Sequence, residues 1–381
     1  MTNDFGKYMF VKPSELKKII SKQLDMESEL ADKLIKNQMI YNESNLEYSA
    51  RNKYLMRSIK GHVNTATALH IFVVTTNCNM ACVYCQANNG IESSHLVMDK
   101  ETSEHAVDIV LQSPEYCLSF EFQGGEPLLN FNIIKHIVEY AEVHKGMHEI
   151  SYNVVTNLTL LTDEILDFFI EHNFGISTSI DGNELVHNGN RKFIDGAGTY
   201  KKVLKSIEKI RQAGIHVGAI QTTTRMSLKY PKEIVQTYAS LGFDSIFIRP
   251  LTPLGKAALY WDEIGYSTEE FVEFYKAALD ELLQINRSGY FLKEDHASIL
   301  LKRIQGDFVN YMELRSPCGA GIGQVAYYAD GNIFTCDEAR MLYEMGQDTF
   351  KLGNVYENEY KELCLQNRMC VKYSRVDSNM L

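Results

Sequence analysis

The stretch His70–Cys85, HIFVVTTNCNMACVYC, decides how the rest of the chain is read. His70–Thr76 is short and rich in β-branched and aromatic side chains, which predicts a strand. Directly behind it, Cys78, Cys82 and Cys85 share one short loop, separated by three and then two residues. In a parallel sheet such a loop sits at the C-terminal end of its strand, where α/β folds place their ligand sites.

Outward from this stretch the pattern repeats. Further strands are predicted at Cys117–Gln123, Ile150–Thr156, Gly175–Ile180, His216–Thr223 and Ser245–Arg249. Helices are predicted between them near 100–113, 131–145, 162–172, 200–213 and 230–241. Asp99 and Thr162 mark helix starts. Gly175 and Gly214 stand where a glycine would end a helix. Six strand–helix units in succession imply a parallel sheet covered by helices. A partial barrel and a doubly wound open sheet both satisfy that pattern.

The flanks differ. Residues 1–66 read as an extension with amphipathic helices at Pro13–Ser21 and Ser28–Gln38 after a possible strand at Tyr8–Val11. Residues 67–265 hold the repeating core, and 266–315 read as a helical linker with Phe271, Tyr275, Ala278, Leu279 and Leu282 at helical spacing. Residues 316–381 return to glycine, cysteine and short β-like pieces at Gln324–Tyr328 and Asn332–Thr335.

With 45% hydrophobic and 23% charged residues over 381 positions, the chain can bury a sizeable core. A net charge of −11 argues against a general nucleic-acid or anionic-membrane surface. The N-terminus lacks the apolar core of a secretory signal, and no run approaches the ~20 apolar residues of a spanning helix. The expected location is the cytoplasm. In that reducing compartment the eight cysteines are not expected to form disulfides. Three lie in the first loop, four in the last 64 residues, and Cys117 stands apart, a clustering that favours ligation.

Three local thiolates suit a [4Fe–4S] cluster with one iron left open to a non-protein ligand, the requirement for a catalytic cluster. A structural zinc site is the competing reading. It needs a fourth ligand, for which His70 and His95 are the nearest candidates.

CNMACVYC, with Tyr84 before the last cysteine, resembles the CxxxCxxC signature of radical S-adenosylmethionine (SAM) enzymes. The resemblance implies a partial (β/α)6 barrel in which the SAM amino and carboxylate groups chelate the open iron. Electron transfer into SAM then releases a 5′-deoxyadenosyl radical. FQGGEPLLN after the second strand looks like the family's GGEP motif, with Gly124 and Gly125 allowing close backbone approach and Glu126 accepting from the methionine ammonium. Thr156 and Asn157 at the third strand's tip resemble a ribose-contacting pair. Ser179, Asp181 and Arg191, from STSIDGN and the segment behind it, resemble SAM-pocket positions of the peptide- and protein-modifying branch, with Arg191 suited to the SAM carboxylate. Arg249 occupies a similar but less specific place.

CGAGIGQVAYYADGNIFTC, from Cys318 to Cys336, resembles the opening of a SPASM-type extension that holds auxiliary [4Fe–4S] clusters. Asp337 matches the aspartate that sulfatase-maturating relatives use as a proton acceptor. The later cysteines reduce to Cys364 and Cys370, so Cys318, Cys336, Cys364 and Cys370 can ligate one cluster but not two. A shortened chain is expected from that incomplete set. The same run, with KLGNV, most resembles radical SAM maturases of the His-Xaa-Ser peptide system.

The resemblance implies a maturase that takes hydrogen from a residue of a ribosomally made precursor peptide, with a flavodoxin or ferredoxin as electron donor. An anaerobic sulfatase-maturating enzyme forming formylglycine on a protein is the alternative, and a degenerate, non-catalytic iron–sulfur protein the third reading. The first 60 residues are expected either to bind a leader peptide or to cap the barrel.

Overall fold

The computed structural model describes residues 1, 3, 7–40, 61, 65–87, 95–305, 309, 311 and 318–365. Two short N-terminal helices, α1 (Pro13–Ile20) and α2 (Glu29–Lys36), precede the core. At the expected N-terminal strand only an isolated bridge at Tyr8 forms. The core then alternates β1 (Leu69–Thr75), α3 (Lys100–Val110), β2 (Cys117–Gly124), α4 (Phe131–His144), β3 (Glu149–Val155), α5 (Asp163–Glu171) and β4 (Gly175–Ser179). It continues with α6 (Glu184–Asn190), α7 (Tyr200–Gln212), β5 (Val217–Thr222), α8 (Pro231–Ser240) and β6 (Ser245–Arg249).

Strands β1 to β6 lie side by side in sequence order, all parallel. A doubly wound sheet reverses its strand order at a switch point; this sheet does not, and the partial barrel is the architecture. The alternation along each strand divides the core. Phe72, Phe120, Phe122, Val154 and Ile176 turn outward and are buried with the helices, each such side chain contributing about 1.5–3 kcal/mol. Residues of opposite parity, such as Ser119, Glu121 and Gln123, are only partly covered and face the lumen.

Helix starts follow the local chemistry. Asp99 accepts from Thr102 N at 2.8 Å and Thr162 from Ile165 N at 3.2 Å. Gly214 adopts φ +77 where α7 ends, as expected. Gly175 does not end α5: Asn173 takes the left-handed φ of +52 there, while Gly175 opens β4. Its missing Cβ leaves room for Asn153 Oδ1, which would stand 2.3 Å from it.

After two single turns, α9 (Lys256–Leu259) and α10 (Trp261–Ile264), the linker is two helices, α11 (Thr268–Arg287) and α12 (Asp295–Gln305), divided by β7 (Lys293–Glu294) on the β6 edge. Beyond it, β8 (Gln324–Tyr327) pairs in parallel with the free edge of β1, and β9 (Asn332–Phe334) and β10 (Lys351–Asn354) follow antiparallel. Helix α13 (Asp337–Glu344) lies between these last strands, and α14 (Tyr360–Leu365) follows. Ile71 and Val73 of β1 pack with Ala326, Tyr328, Phe334 and Ala339, so α13 fills one side of the lumen. No helix among the described residues is long and apolar enough to cross a membrane.

Candidate active site

Cys78, Cys82 and Cys85 occupy the loop behind β1, and backbone bonds from three directions hold that loop. Ala81 N donates to Lys192 O at 2.8 Å and Val83 N to Asn190 O at 3.0 Å. Lys256 N donates to Cys85 O at 2.9 Å. From β2, Gly125 N reaches Thr75 O at 2.9 Å and Glu126 N reaches Asn77 O at 2.8 Å. The close approach that Gly124 and Gly125 permit is therefore to the chain's own backbone. A Cβ at Gly124 would stand 2.2 Å from Thr75 O, and one at Gly125 2.3 Å from Asn77 O.

Burial pushes the Cys78 thiol up to about 11 and the Cys82 thiol up to about 12, with Arg191 only partly opposing the shift. Thiols so placed need a cation to ionise, and bound iron inverts that preference. Among the described residues no three Cys, His, Asp or Glu groups converge as a single-ion site. His70 is buried and bonded to Tyr327 Oη and Thr67 O, and exposed His95 bonds Asn77 Oδ1 through Nδ1.

The Glu126 carboxylate is fully buried and binds protein donors: Thr156 Oγ1 at 2.7 Å, Asn157 N at 2.8 Å and Leu128 N at 3.0 Å. Burial raises its pKa against the pull of these bonds. Glu126 thus ties the tips of β2 and β3 together. Asn157 Nδ2 donates to Asn79 Oδ1 at 2.9 Å, and Asn79 Nδ2 to Thr159 Oγ1 at 2.8 Å, joining the third tip to the cysteine loop. The next residue, Leu158, is buried at φ +60, a left-handed conformation costing about 1–2 kcal/mol. Thr156 Oγ1 and Ser206 Oγ hold it there.

Asp181 closes the fourth tip. Fully buried, it accepts from Tyr84 Oη at 2.7 and 2.9 Å, from Thr222 N at 3.3 Å and from Arg191 Nε at 3.3 Å. Arg191 lies 5.2 Å over the Tyr84 ring. Burial and the neighbouring Asp181 raise the Tyr84 hydroxyl well above its ordinary value. Arg191 engages Asp181 through Nε, and among the described residues no bond reaches its terminal nitrogens. Ser179 is half-buried at the tip of β4, and its hydroxyl has no protein partner among the described residues.

Across the lumen, Cys336 is half-buried at the start of α13 and burial pushes its thiol to about 12. Cys318 is exposed. Cys364 falls in α14, but its side chain and Cys370 lie outside the described residues. Asp337 pairs at 2.7 Å with Arg340, whose side chain is 2% exposed. Glu338 pairs with Arg249 from the tip of β6 at 3.5 Å. Arg340 was not a sequence candidate; its position three residues after Asp337 on an acidic-start helix was the available signal. Asn79 and Glu121 were also missed, the second although it is the charged residue in an otherwise apolar and polar alternation along β2.

A family model for the Radical SAM superfamily matches residues 72–237. The chain is 33% identical over 189 residues to the MJ0907 protein of Methanocaldococcus jannaschii, half of this chain and 64%, just under two thirds, of that protein. It is 26% identical over 313 residues to a cysteine-type anaerobic sulfatase-maturating enzyme of Clostridium perfringens, covering 79% of this chain and 80% of the relative. Among solved structures, native anSMEcpe with bound AdoMet superposes with a TM-score of 0.69 at 23% identity, over 81% of this chain and 82% of the other. Streptococcus suis SuiB bound to the precursor peptide SuiA superposes at 0.58 and 14% identity, over 92% and 76%. At these identities the structures attest the fold, and the family match supplies the chemistry that the three-thiol loop and the polar strand tips accommodate. Residues 72–237 match the Radical SAM superfamily, whose members use a [4Fe–4S] cluster and SAM.

Proposed function

We propose that the enzyme takes hydrogen from a side chain of a ribosomally made peptide, leaving a crosslinked, oxidised or epimerised residue. One observation carries the reading: helix α13, packed against β1, brings Asp337 and Arg340 toward the cysteine loop behind that strand. Arg340 lies within electrostatic reach of both Asp337 and the Cys85 thiol. When bound, the cluster and SAM supply the hydrogen-abstracting radical. The chain's own residues do the rest. Cys78, Cys82 and Cys85 hold the cluster, and the backbone of Gly124–Glu126 and the free end of Arg191 receive the amino and carboxylate groups of SAM. Ser179, Thr156 and Asn157 shape the ribose side, with the last two acting through their ties to Glu126 and Asn79. Asp337, held by Arg340, accepts the proton released as product forms. Cys318, Cys336, Cys364 and Cys370 are assigned to an auxiliary cluster.

SuiB, a structural neighbour bound to a precursor peptide, supports a peptide substrate. The sulfatase-maturating relative supports a second reading, oxidation of a Cys or Ser in a protein, because Asp337 follows Cys336 as that reading requires. A flavodoxin or ferredoxin donor fits the low potential needed. The cytoplasm fits a chain whose described cysteines are all unpaired. Anaerobic reconstitution with SAM and dithionite is expected to yield 5′-deoxyadenosine, and its absence sinks both readings. Peptides encoded beside the gene and a sulfatase-motif peptide then separate them by which gains a mass change.

A further inference from the structure

We propose that the lower lumen of the barrel is a binding site for a cationic side chain of the substrate, with Glu121 as the residue that selects it. The inference rests on the reading of the chain as an enzyme acting on a peptide or protein. A cavity of about 410 Å³ opens at the N-terminal ends of β4 and β5, between the turn at Asn173–Phe174 and Ile215–His216. This is the end of the barrel opposite the cysteine loop. Its inner wall carries Glu121, Asn153, Ser177 and Gly218.

The strand register explains the space. Glu121 pairs with Asn153, and Asn153 with Gly175, so one level of the lumen carries a carboxylate, an amide and no side chain at all. The next level pairs Val155 with Ser177 and Ser177 with Gly218. Small residues on β4 and β5 therefore leave a gap facing the Glu121 carboxylate. A Cβ at Gly218 would meet nothing nearer than Ile176 O at 3.9 Å, so nothing in the protein fills that gap.

Charge completes the case. Glu121 accepts from Gln123 Nε2 at 2.5 Å, and no Lys, Arg or His pairs with it among the described residues. The neighbouring charges are already matched: Asp337 with Arg340 and Glu338 with Arg249, while His216 bonds Asp244 at 3.4 Å. Burial and the nearby Asp337 raise the Glu121 carboxyl, the condition of an anion lacking its counter-ion. A guanidinium or ammonium at the end of a flexible stem supplies that charge. The net charge of −11 favours the encounter.

The test uses the reconstituted holoenzyme and isothermal titration with N-acetyl-arginine methylamide and its neutral counterpart, N-acetyl-norleucine methylamide. The wild type is expected to prefer the arginine amide by about tenfold or more, as a charge-assisted contact implies. Glu121→Gln should erase that preference. Gly218→Val, which fills the gap and leaves Glu121 in place, should abolish binding of the arginine amide, and it serves if Glu121→Gln does not fold. Equal binding of the two amides, no saturable binding of the arginine amide, or a preference surviving either substitution overturns the proposal. Deoxyadenosine formation, the test of the enzymatic reading, is measured separately and can succeed where this fails.

Discussion

Replacing Gly125 with alanine adds one methyl group where the backbone of the cysteine loop already stands. The new Cβ would lie 2.3 Å from Asn77 O, 2.5 Å from Thr76 O and 2.6 Å from Asn77 C. Carbon–oxygen contacts normally begin near about 3.3 Å, so the segment must retreat by about 1 Å. All three obstacles are backbone atoms immediately before Cys78, and no rotamer change relieves them. The retreat breaks or stretches the bonds from Gly125 N to Thr75 O and from Glu126 N to Asn77 O. Two such bonds are together about 2 kcal/mol and local overpacking about 1–3 kcal/mol, for a loss of about 3–5 kcal/mol. Because the strain lands next to a cluster ligand, iron occupancy should fall with stability. The assay is iron per chain after anaerobic reconstitution, alongside urea unfolding of the cluster-free protein. Gly218→Ala is the control: a strand glycine with open space at its Cβ, expected to hold both quantities near wild type. Wild-type iron content and stability in Gly125→Ala would refute the account of why glycine stands there.

Two further outcomes are expected. Asp181→Asn leaves the Arg191 guanidinium buried without a counter-charge and should destabilise the cluster-free protein by about 3–5 kcal/mol; Asp181→Asn combined with Arg191→Gln should recover part of that loss, and strictly additive effects in urea unfolding would show that the two are not coupled. Burial depresses His70 to about 3 and His187 to about 4. The unfolded chain therefore binds protons below its ordinary value near 6.5 while the folded chain does not, so stability from these two groups is present above pH 6.5 and is lost as pH falls toward 4. Thermal melting between pH 7 and pH 4 should show a steep decline that His70→Gln reduces, and an unchanged slope in that variant would count against His70 as a source.

Much of the fold was legible because its signals are local. Asp99 and Thr162 cap the helices they precede, and Ser245–Arg249 is a strand with the limits its composition suggested. Gly175 misled because a glycine before a strand looks the same whether it ends a helix or clears space for the Asn153 side chain across the ladder. The helical linker carried a two-residue strand, since Lys293–Glu294 has no β signature and pairs only because β6 offers a free edge.

The sequence by itself determined the three-thiol loop, the succession of strand tips that present polar residues, and thereby the resemblance to radical SAM enzymes. Those features depend on spacing within a few residues, and short spacing survives any packing. What the tertiary structure alone decided is what each tip residue touches. Glu126 meets Thr156 and Asn157, and Asp181 meets Tyr84 and Thr222. It also decided that β8 joins the edge of β1, which brings α13 and Asp337 over the lumen, and that Glu121 faces an empty space bounded by Ser177 and Gly218. Pairings between residues 30 to 250 positions apart depend on strand order and register, and neither is written in any local run of residues.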